Sequence, residues 1–324
     1  GAIDFLEKPL DTLKLKKTIK NSLEHFQLSI GKRNLEQLYK IEPIEFVGIS
    51  DAIQKIKTLA LELAQKNVDV LIAGETGTGK DLLAKYFYQS SWRANGLFVD
   101  ISLASLPVTI IERELFGHEK GAFTDAKERK IGYIEQANKG MLVLDDIDAT
   151  PPEVQVKLLT FLQERKLRRL GNTNSISIDT QVIATTNQTL SNLVDQGLFR
   201  SDLYFRLNQF EINIPPLRDR PNDVPILANY FLSNFQKQGE THIGNISDDA
   251  LEMMNKYQWP GNVRELKSSI QKATIYAKMN KHDRIELDDL PYEISHTQQD
   301  HSAVNVCQST KINRGEIDLE RETA

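Results

Sequence analysis

Residues 74–81 read Gly-Glu-Thr-Gly-Thr-Gly-Lys-Asp, a full Gly-x-x-x-x-Gly-Lys loop. An apolar run precedes it (Val68, Val70, Leu71, Ile72, Ala73), and a helical pattern follows (Leu82, Leu83, Ala84, Phe87). A strand, a glycine-rich turn and a helix start in that order form a cradle for an anion. The glycines let backbone N–H groups point inward, and the helix start adds its positive dipole end. In such a loop Gly74, Glu75, Thr76, Gly77, Thr78 and Gly79 surround the phosphates, and Lys80 reaches the outer ones. The residue after the lysine is usually Ser or Thr, whose hydroxyl touches Mg²⁺; here it is Asp81.

The rest of the chain builds a sheet around this loop. Apolar runs at 69–73, 97–101, 141–145, 181–185 and 210–214 alternate with helical patterns, which predicts an α/β fold with a parallel sheet covered by helices. Pro215, Pro216 and Pro221 punctuate its end, and 222–280 shows only helical periodicity, so a small all-α subdomain follows. At the start, Ile19, Leu23, Phe26 and Ile30 share one stripe of a helix from about Leu10 to Ile30. The stripe fits a short coiled-coil seam or a helix packed on its own domain. Residues 31–44 read as a polar linker and 295–324 as a flexible one.

Met141-Leu142-Val143-Leu144 ends in Asp145-Asp146. Acids at the carboxyl end of a strand beside a phosphate loop suit Mg²⁺ at Asp145 and a water-polarising role at Asp146. Asp148 reads as a helix cap before Thr150-Pro151-Pro152. Arg200 and Arg206, in Phe199-Arg200-Ser201-Asp202-Leu203-Tyr204-Phe205-Arg206-Leu207, offer the positive charge that a departing γ-phosphate needs, in cis or in trans. The basic run Glu164-Arg165-Lys166-Leu167-Arg168-Arg169 suggests a DNA patch or a solvated helix end at a subunit surface; the solvated end is the expectation.

Composition narrows the class. With 324 residues, 40% hydrophobic and 26% charged, the chain is ordinary for a globular protein of about two domains. No apolar stretch approaches the ~20 residues of a membrane-spanning helix. The lone Cys307 excludes a disulfide framework, and a reducing cytoplasm fits. A net charge of −5 argues against a broad nucleic-acid surface.

Taken together, residues 74–81, ELFGHEKGAFTDA (114–126), LVLDD (142–146), FRSDLYFRL (199–207), IPPLRDR (214–220) and WPGNVREL (259–266) resemble the central AAA+ domain of sigma-54-dependent transcriptional activators. The resemblance covers about residues 45–294, with an ATPase subdomain at 45–220 and a lid at 221–294. GAIDFLEKPLD resembles the last strand and helix of a response-regulator receiver, which assigns 1–30 to that domain, as in nitrogen-regulation regulators. It implies a fragment, with a sensor histidine kinase acting on the missing receiver and a DNA-binding domain beyond the C-terminal end.

The resemblance further implies an ATPase that uses ATP and Mg²⁺ in a homo-oligomeric ring, usually a hexamer, to remodel the closed complex of sigma-54 RNA polymerase. Under it Lys80 binds phosphate, Asp145 organises Mg²⁺ and Asp146 is the catalytic acid. Asn187, with Thr186, matches sensor I. Arg200 and Arg206 match the arginine fingers, and Arg264 matches sensor II. Phe46, Val47 and Gly48 enclose the adenine. The loop Gly121-Ala122-Phe123-Thr124-Asp125-Ala126 matches the sigma-contact loop, with Phe123 an exposed apolar anchor beside Thr124; without the resemblance, Phe123 reads as a core residue covering a turn. The chain departs from the pattern where Asp146 replaces Glu, Ser102 replaces the Asn that restrains that Glu, Asp125 replaces Gly and Asp81 replaces Glu. The first two leave a second reading open: an ATP-binding regulator with weak or lost hydrolysis. A metabolic kinase would need an acceptor-substrate site, and the sequence carries no motif for one.

Overall fold

The computed structural model describes residues 44–123, 126, 128–239 and 241–296. The receiver-like start and its stripe, the 297–324 tail, Thr124 and Asp125 therefore lie outside the described residues. The chain divides into two compact units after Pro216.

The first unit begins with α1 (Asp51–Ala64), whose Ser50 hydroxyl accepts the N–H of Ile53 at 3.5 Å as an N-cap. Five strands follow: β1 (Val70–Ala73), β2 (Phe98–Ser102), β3 (Met141–Asp145), β6 (Gln181–Thr186) and β7 (Glu211–Asn213). They form one sheet in the order β2-β3-β6-β1-β7, every neighbouring pair parallel. All five expected runs become strands, because a sheet covered on both faces selects near-continuous Val, Ile and Leu.

Strand alternation sorts the side chains onto the two faces. Ile72, Phe98, Val143 and Ile183 pack with Ile53, Leu83 and Phe87, the inner faces of α1 and α2 (Lys80–Gln89). Leu71, Ile101, Leu144 and Val182 pack with Ile111, Leu158 and Leu203. These last three come from α3 (Val108–Phe116), α5 (Pro152–Glu164) and α7 (Ser201–Leu207). The short helices α4 (Tyr133–Gln136) and α6 (Leu190–Asp195) also contribute to that face. Met141 and Val143 face α2, so Asp145 continues that parity and faces the phosphate loop.

Helix α5 ends at Glu164, and Arg165 closes it in the left-handed region at φ 53°. The chain then forms β4 (Lys166–Arg168), paired antiparallel with β5 (Ser175–Ser177). The basic run is therefore not a solvated helix end. Arg165 donates to Asp69, and Arg169 is buried against Glu119 and Glu135, so only Lys166 and Arg168 of its cations stay in solvent. Leu167 turns inward and pins the strand to the core, which is what overrides the helical reading.

The second unit holds a 3-10 turn (Leu217–Asp219), α8 (Asp223–Lys237), α9 (Asp248–Lys256), α10 (Asn262–Asn280), a 3-10 turn (Leu287–Asp289) and α11 (Tyr292–Ser295). Trp259 is fully buried there, and its Nε1 donates to the Met254 carbonyl at 2.9 Å. Among the described residues no helix is long and apolar enough to cross a membrane.

Candidate functional site

The loop Gly74–Gly79 joins β1 to α2, and Gly79 stands at the helix N-cap with φ 103°, a left-handed geometry that favours glycine. Thr78 braces the turn by donating its hydroxyl to the Glu75 carbonyl at 2.8 Å. Lys80, the first residue of α2, is nearly buried and folds back over the loop. Its Nζ donates to the carbonyls of Gly74 at 2.9 Å and Glu75 at 3.2 Å. Burial lowers its pKa below the ordinary 10.5, and Asp145, Asp146, Asp148 and Asp81 oppose that shift. Lys80 thus stands among four carboxylates, a local excess of negative charge.

Phe46 brings the expected adenine end to the same place. Its ring carbon would lie 3.7 Å from a Cβ on Gly79, and its ring centroid is 6.1 Å from that of Tyr86 on α2. Val47 follows it, half-buried, and the Gly48 carbonyl accepts from Gln54 Nε2 at 2.7 Å and Lys57 Nζ at 2.9 Å, which fixes this approach to α1.

The acids at the end of β3 are held by the end of β6. The register pairs Leu144 with Ala184, so the next residues, Asp145 and Thr185, fall side by side. Thr185 Oγ1 donates to Asp145 Oδ1 and accepts the N–H of Asp146 at 3.2 Å. Asp146 sits in the left-handed region at φ 56°, an uncommon position for a residue with a Cβ that costs roughly 1–2 kcal/mol. Asn187 Nδ2 lies 3.4 Å from Asp146 Oδ1, so the two residues that the resemblance assigns to sensor I and to the catalytic acid meet. The neighbouring Thr186 carbonyl accepts the Gly74 N–H at 3.2 Å, tying β6 to the phosphate loop itself.

Asp148 is not a helix cap. It lies in the 3-10 turn Ile147–Ala149, where it accepts from Thr186 Oγ1 at 2.9 Å and Gln188 Nε2 at 3.0 Å, while Pro151 holds the N-cap position of α5. Thr185 and Asp148 are site residues that the motif reading missed. The acidic strand end beside a Thr-Thr-Asn strand end was the available signal.

Ser102 stands opposite Asp145 in the β2–β3 register, and its carbonyl accepts the Ser105 hydroxyl at 2.8 Å. Two residues back on the same face, burial and then Asp145 push the Asp100 carboxyl up to about 6, against the pull of Lys85. The strand edge still leaves Asp100 open to water.

The two finger candidates differ. Arg200 is half exposed at the N-cap of α7 and makes paired bonds to Asp202 at 3.0 and 2.8 Å. Its backbone N–H donates to buried Gln155 at 2.9 Å. Arg206 is committed to its own chain: it donates to the Leu162 carbonyl at 3.2 and 2.8 Å and to Gln209 at 3.0 Å, with Asp69 at 3.7 Å. Asp69 precedes β1 and Gly74 follows it, so at ~3.3 Å per residue Arg206 sits about 16 Å from its own phosphate loop.

The loop at 121–126 closes on itself, with the Gly121 N–H on the Ala126 carbonyl at 2.8 Å and the Ala122 N–H on Glu119 at 3.2 Å. Phe123 is half-buried, not exposed. Its ring packs edge-on against His118 at 4.8 Å between centroids, and the Arg113 guanidinium stacks over it at 4.8 Å. A cation over the ring face and an imidazole edge outcompete solvent for an aromatic side chain on so short a loop. The Glu119 N–H donates to Leu170 at 3.0 Å, and Arg169 grips Glu119 and Glu135 at 2.6 Å each. In the second unit, Arg264 is exposed on the first turn of α10.

Among the described residues no three His, Cys, Asp or Glu side chains gather into a metal cage. Mg²⁺ bound with a nucleotide uses one or two carboxylates plus phosphate oxygens and waters. The negative excess around Lys80, with Asp145 at its centre, fits that mode.

A parallel sheet with a phosphate loop after a central strand, acids at the next strand end and a polar strand end between them define a P-loop NTPase. The comparisons narrow this. Residues 46–213 match the model of the sigma-54 interaction domain, and 218–306 match the AAA+ ATPase lid domain. The chain belongs to the family of sigma-54-dependent activators that carry an AAA+ ATPase domain. It is 39% identical to the regulatory protein AtoC of Escherichia coli (strain K12) over 299 residues, 91% of this chain and 64% of that one. It is 40% identical to the transcriptional regulator NtrC of Rhizobium meliloti (strain 1021) over 274 residues, 85% of this chain and 56% of that one. The crystal structure of NtrX from Brucella abortus in complex with ATP superposes with a TM-score of 0.74 at 31% identity, covering 94% of this chain and 67% of that one. The chain thus spans about three-fifths of the curated relatives it matches.

Proposed function

We propose that this chain is the ATP-hydrolysing motor of a transcriptional activator that remodels the closed complex of sigma-54 RNA polymerase. The carrying observation is the junction at the end of β6, where Thr185, Thr186 and Asn187 touch Asp145, Asp146 and the phosphate loop together. Three consecutive polar side chains there meet three acids, Thr185 on Asp145, Thr186 on Asp148 and Asn187 on Asp146, while the Thr186 carbonyl holds the phosphate loop.

Incoming phosphates replace the Gly74 and Glu75 carbonyls as partners of Lys80 Nζ. Loop N–H groups and the α2 dipole share the charge. Asp145 would hold a nucleotide-bound Mg²⁺, which would offset the negative charge of the phosphates. Asp146 orients the attacking water and takes its proton, while Asn187 restrains the carboxylate and Thr185 fixes its backbone. Arg200 serves a neighbouring copy in a ring, since its guanidinium is the more exposed of the two finger candidates. Arg206 then holds α7 against α5 through Leu162. Phe123, with Thr124 and Asp125 beside it, engages the sigma factor once it leaves His118 and Arg113. Arg264 reads nucleotide state from the lid. In the parent protein a receiver addressed by a histidine kinase, and a DNA-binding domain, supply signal and promoter choice, and the whole works in the cytoplasm.

The test is Mg-ATP turnover across a range of protein concentrations, with Arg200→Ala beside the unchanged chain. Specific activity that rises with concentration and collapses in the variant supports shared sites in a ring. ATP bound with no turnover at any concentration rejects the motor in favour of an ATP-binding regulator. That reading draws on the short reach of Asp146 and its marginal 3.4 Å contact to Asn187.

A further inference from the structure

The β4–β5 ribbon has a face that the nucleotide site and the sigma-contact loop do not use. On it, Lys166 lies opposite Ser177 and Arg168 opposite Ser175, and all four residues are exposed. Leu167 turns the other way into the core, and Ile176 packs beside it. Asn172, Thr173 and Asn174 complete the turn without a charge. Arg169 and Arg165 are spent on carboxylates, whereas among the described residues neither Lys166 nor Arg168 meets one. Beside the ribbon lies a cavity of about 420 Å³ lined by Lys157, Thr160, Arg168, Arg169 and Asn172, with Glu164 its single acid. Lys157 is held by Glu112.

We propose that this ribbon face is a contact surface for the phosphate backbone of duplex DNA. Two unpaired long cations flanked by hydroxyls and amides are the donor set that positions proteins on phosphates. A two-stranded ribbon is narrow enough to lie along a groove edge. An acidic protein surface would need an apolar anchor at the centre of the contact, and Lys166, Arg168, Ser175 and Ser177 offer none; Phe116 and Phe161 in the cavity wall beside them are buried. The chain is acidic overall, so the patch is local and its binding is of low order: two phosphate contacts per copy, multiplied in an assembly.

Position adds a second argument, which rests on the proposed sigma-54 reading. A Cβ on Gly171 would lie 2.8 Å from Ala122, and the Leu170 carbonyl holds Glu119 at 3.0 Å, so the ribbon turn abuts the sigma-contact loop. A loop that meets polymerase on a promoter brings this ribbon to the DNA beside it.

The experiment measures anisotropy of a labelled duplex of about 30 bp and arbitrary sequence, titrated with the 324-residue chain between roughly 50 and 200 mM salt. The double variant Lys166→Ala/Arg168→Ala is run in parallel. Each lost phosphate contact removes ~0.9 from the slope of log K against log salt, so the variant loses about 1.8. Its Mg-ATP turnover stays unchanged, which reports that it is folded. No duplex binding at ~50 mM salt, or equal slopes for both proteins, overturns the proposal. So does a variant that loses sigma-54 capture with its DNA slope intact. If the unchanged chain fails to capture sigma-54 while the slope difference holds, the function reading falls and the ribbon assignment stands.

Discussion

Gln155 joins the Thr150 carbonyl to the backbone of Arg200, and its replacement by leucine tests that link. It is fully buried in the first turn of α5. Its Nε2 donates to the carbonyls of Thr150 at 2.9 Å and Leu198 at 3.0 Å, and its Oε1 accepts the Arg200 N–H at 2.9 Å. Leucine keeps most of the volume and none of these bonds. Thr150 is itself buried, so its carbonyl loses a partner water cannot replace, at ~1–3 kcal/mol. Leu198 and Arg200 lie at the surface, and their groups lose about 1 kcal/mol each. The apolar side chain returns ~1–2 kcal/mol, leaving Gln155→Leu destabilised by roughly 1–4 kcal/mol. With a urea dependence of ~1–3 kcal/mol/M, the unfolding midpoint drops by about 1 M. Arg200 also loses the anchor of its backbone, and a displacement of about 1 Å costs on the order of 10²-fold in turnover. Nucleotide affinity below the transition holds, because Gln155 touches no part of the phosphate loop. Turnover per folded molecule equal to that of the unchanged chain would show that Gln155 packs the helix without positioning Arg200, and an unchanged midpoint would refute the bond accounting as well.

Four further outcomes follow from single sites. Asp146→Ala lowers Mg-ATP turnover by roughly 10²–10⁴-fold, the range of a general base, with ATP affinity retained; Asn187→Ala, whose contact is 3.4 Å, loses less than about tenfold in the same assay. Gly171→Ala places a Cβ 2.8 Å from Ala122 at φ 79°, so it costs ~1–2 kcal/mol and shifts the base of the sigma-contact loop; sigma-54 crosslinking falls while ATP turnover persists. In the second unit His282 Nδ1 meets the buried Asp289 carboxylate at 2.9 Å. The bond raises the His282 pKa above 6.5, and although burial opposes it, bonds from His282, the Glu286 N–H and Asn280 hold Asp289 below 3.8. The His282 contribution is full below pH 6.5 and disappears as pH climbs through its raised value; that of Asp289 is full above pH 3.8 and is lost as pH falls through its lowered one. Melting of the lid unit therefore peaks in between, and His282→Gln flattens the alkaline decline.

What the sequence disclosed depended on the range of each signal. The phosphate loop and the five strands are local: an apolar run or a glycine pattern says what it is without reference to its neighbours, and each became the element it predicted. Thr185 was illegible for the opposite reason. Its role exists only because parallel pairing sets it beside Asp145, and register is a property of two segments. Asp148 and Arg169 failed likewise: an acid before two prolines resembles a cap, and a basic run resembles a solvated helix end. In each case a partner more than 30 residues away, Thr186 for Asp148 and Glu135 for Arg169, decided otherwise. Phe123 shows a third limit. The resemblance marks it as a contact residue, but whether it waits in solvent or against its own chain depends on Arg113 and His118, which the motif does not specify.

The bonds around β6 define an order in which nucleotide can be felt. Lys80 holds the Gly74 and Glu75 carbonyls, the Gly74 N–H is held by Thr186, and Thr186 also holds Asp148. Asp148 leads through Ala149 to Thr150, whose carbonyl is bound by Gln155, and Gln155 binds Arg200. A phosphate that draws Lys80 away from the loop carbonyls therefore acts on a route of hydrogen bonds joined by the backbone from Asp148 to Thr150. That route ends at the Arg200 backbone N–H, whose side-chain guanidinium bonds Asp202 among the described residues. Arg206 is outside this route, bonded to the Leu162 carbonyl of α5. The two arginines of one motif thus differ in their contacts: Arg200 pairs with its neighbour Asp202, and Arg206 ties α7 to α5 through the Leu162 carbonyl.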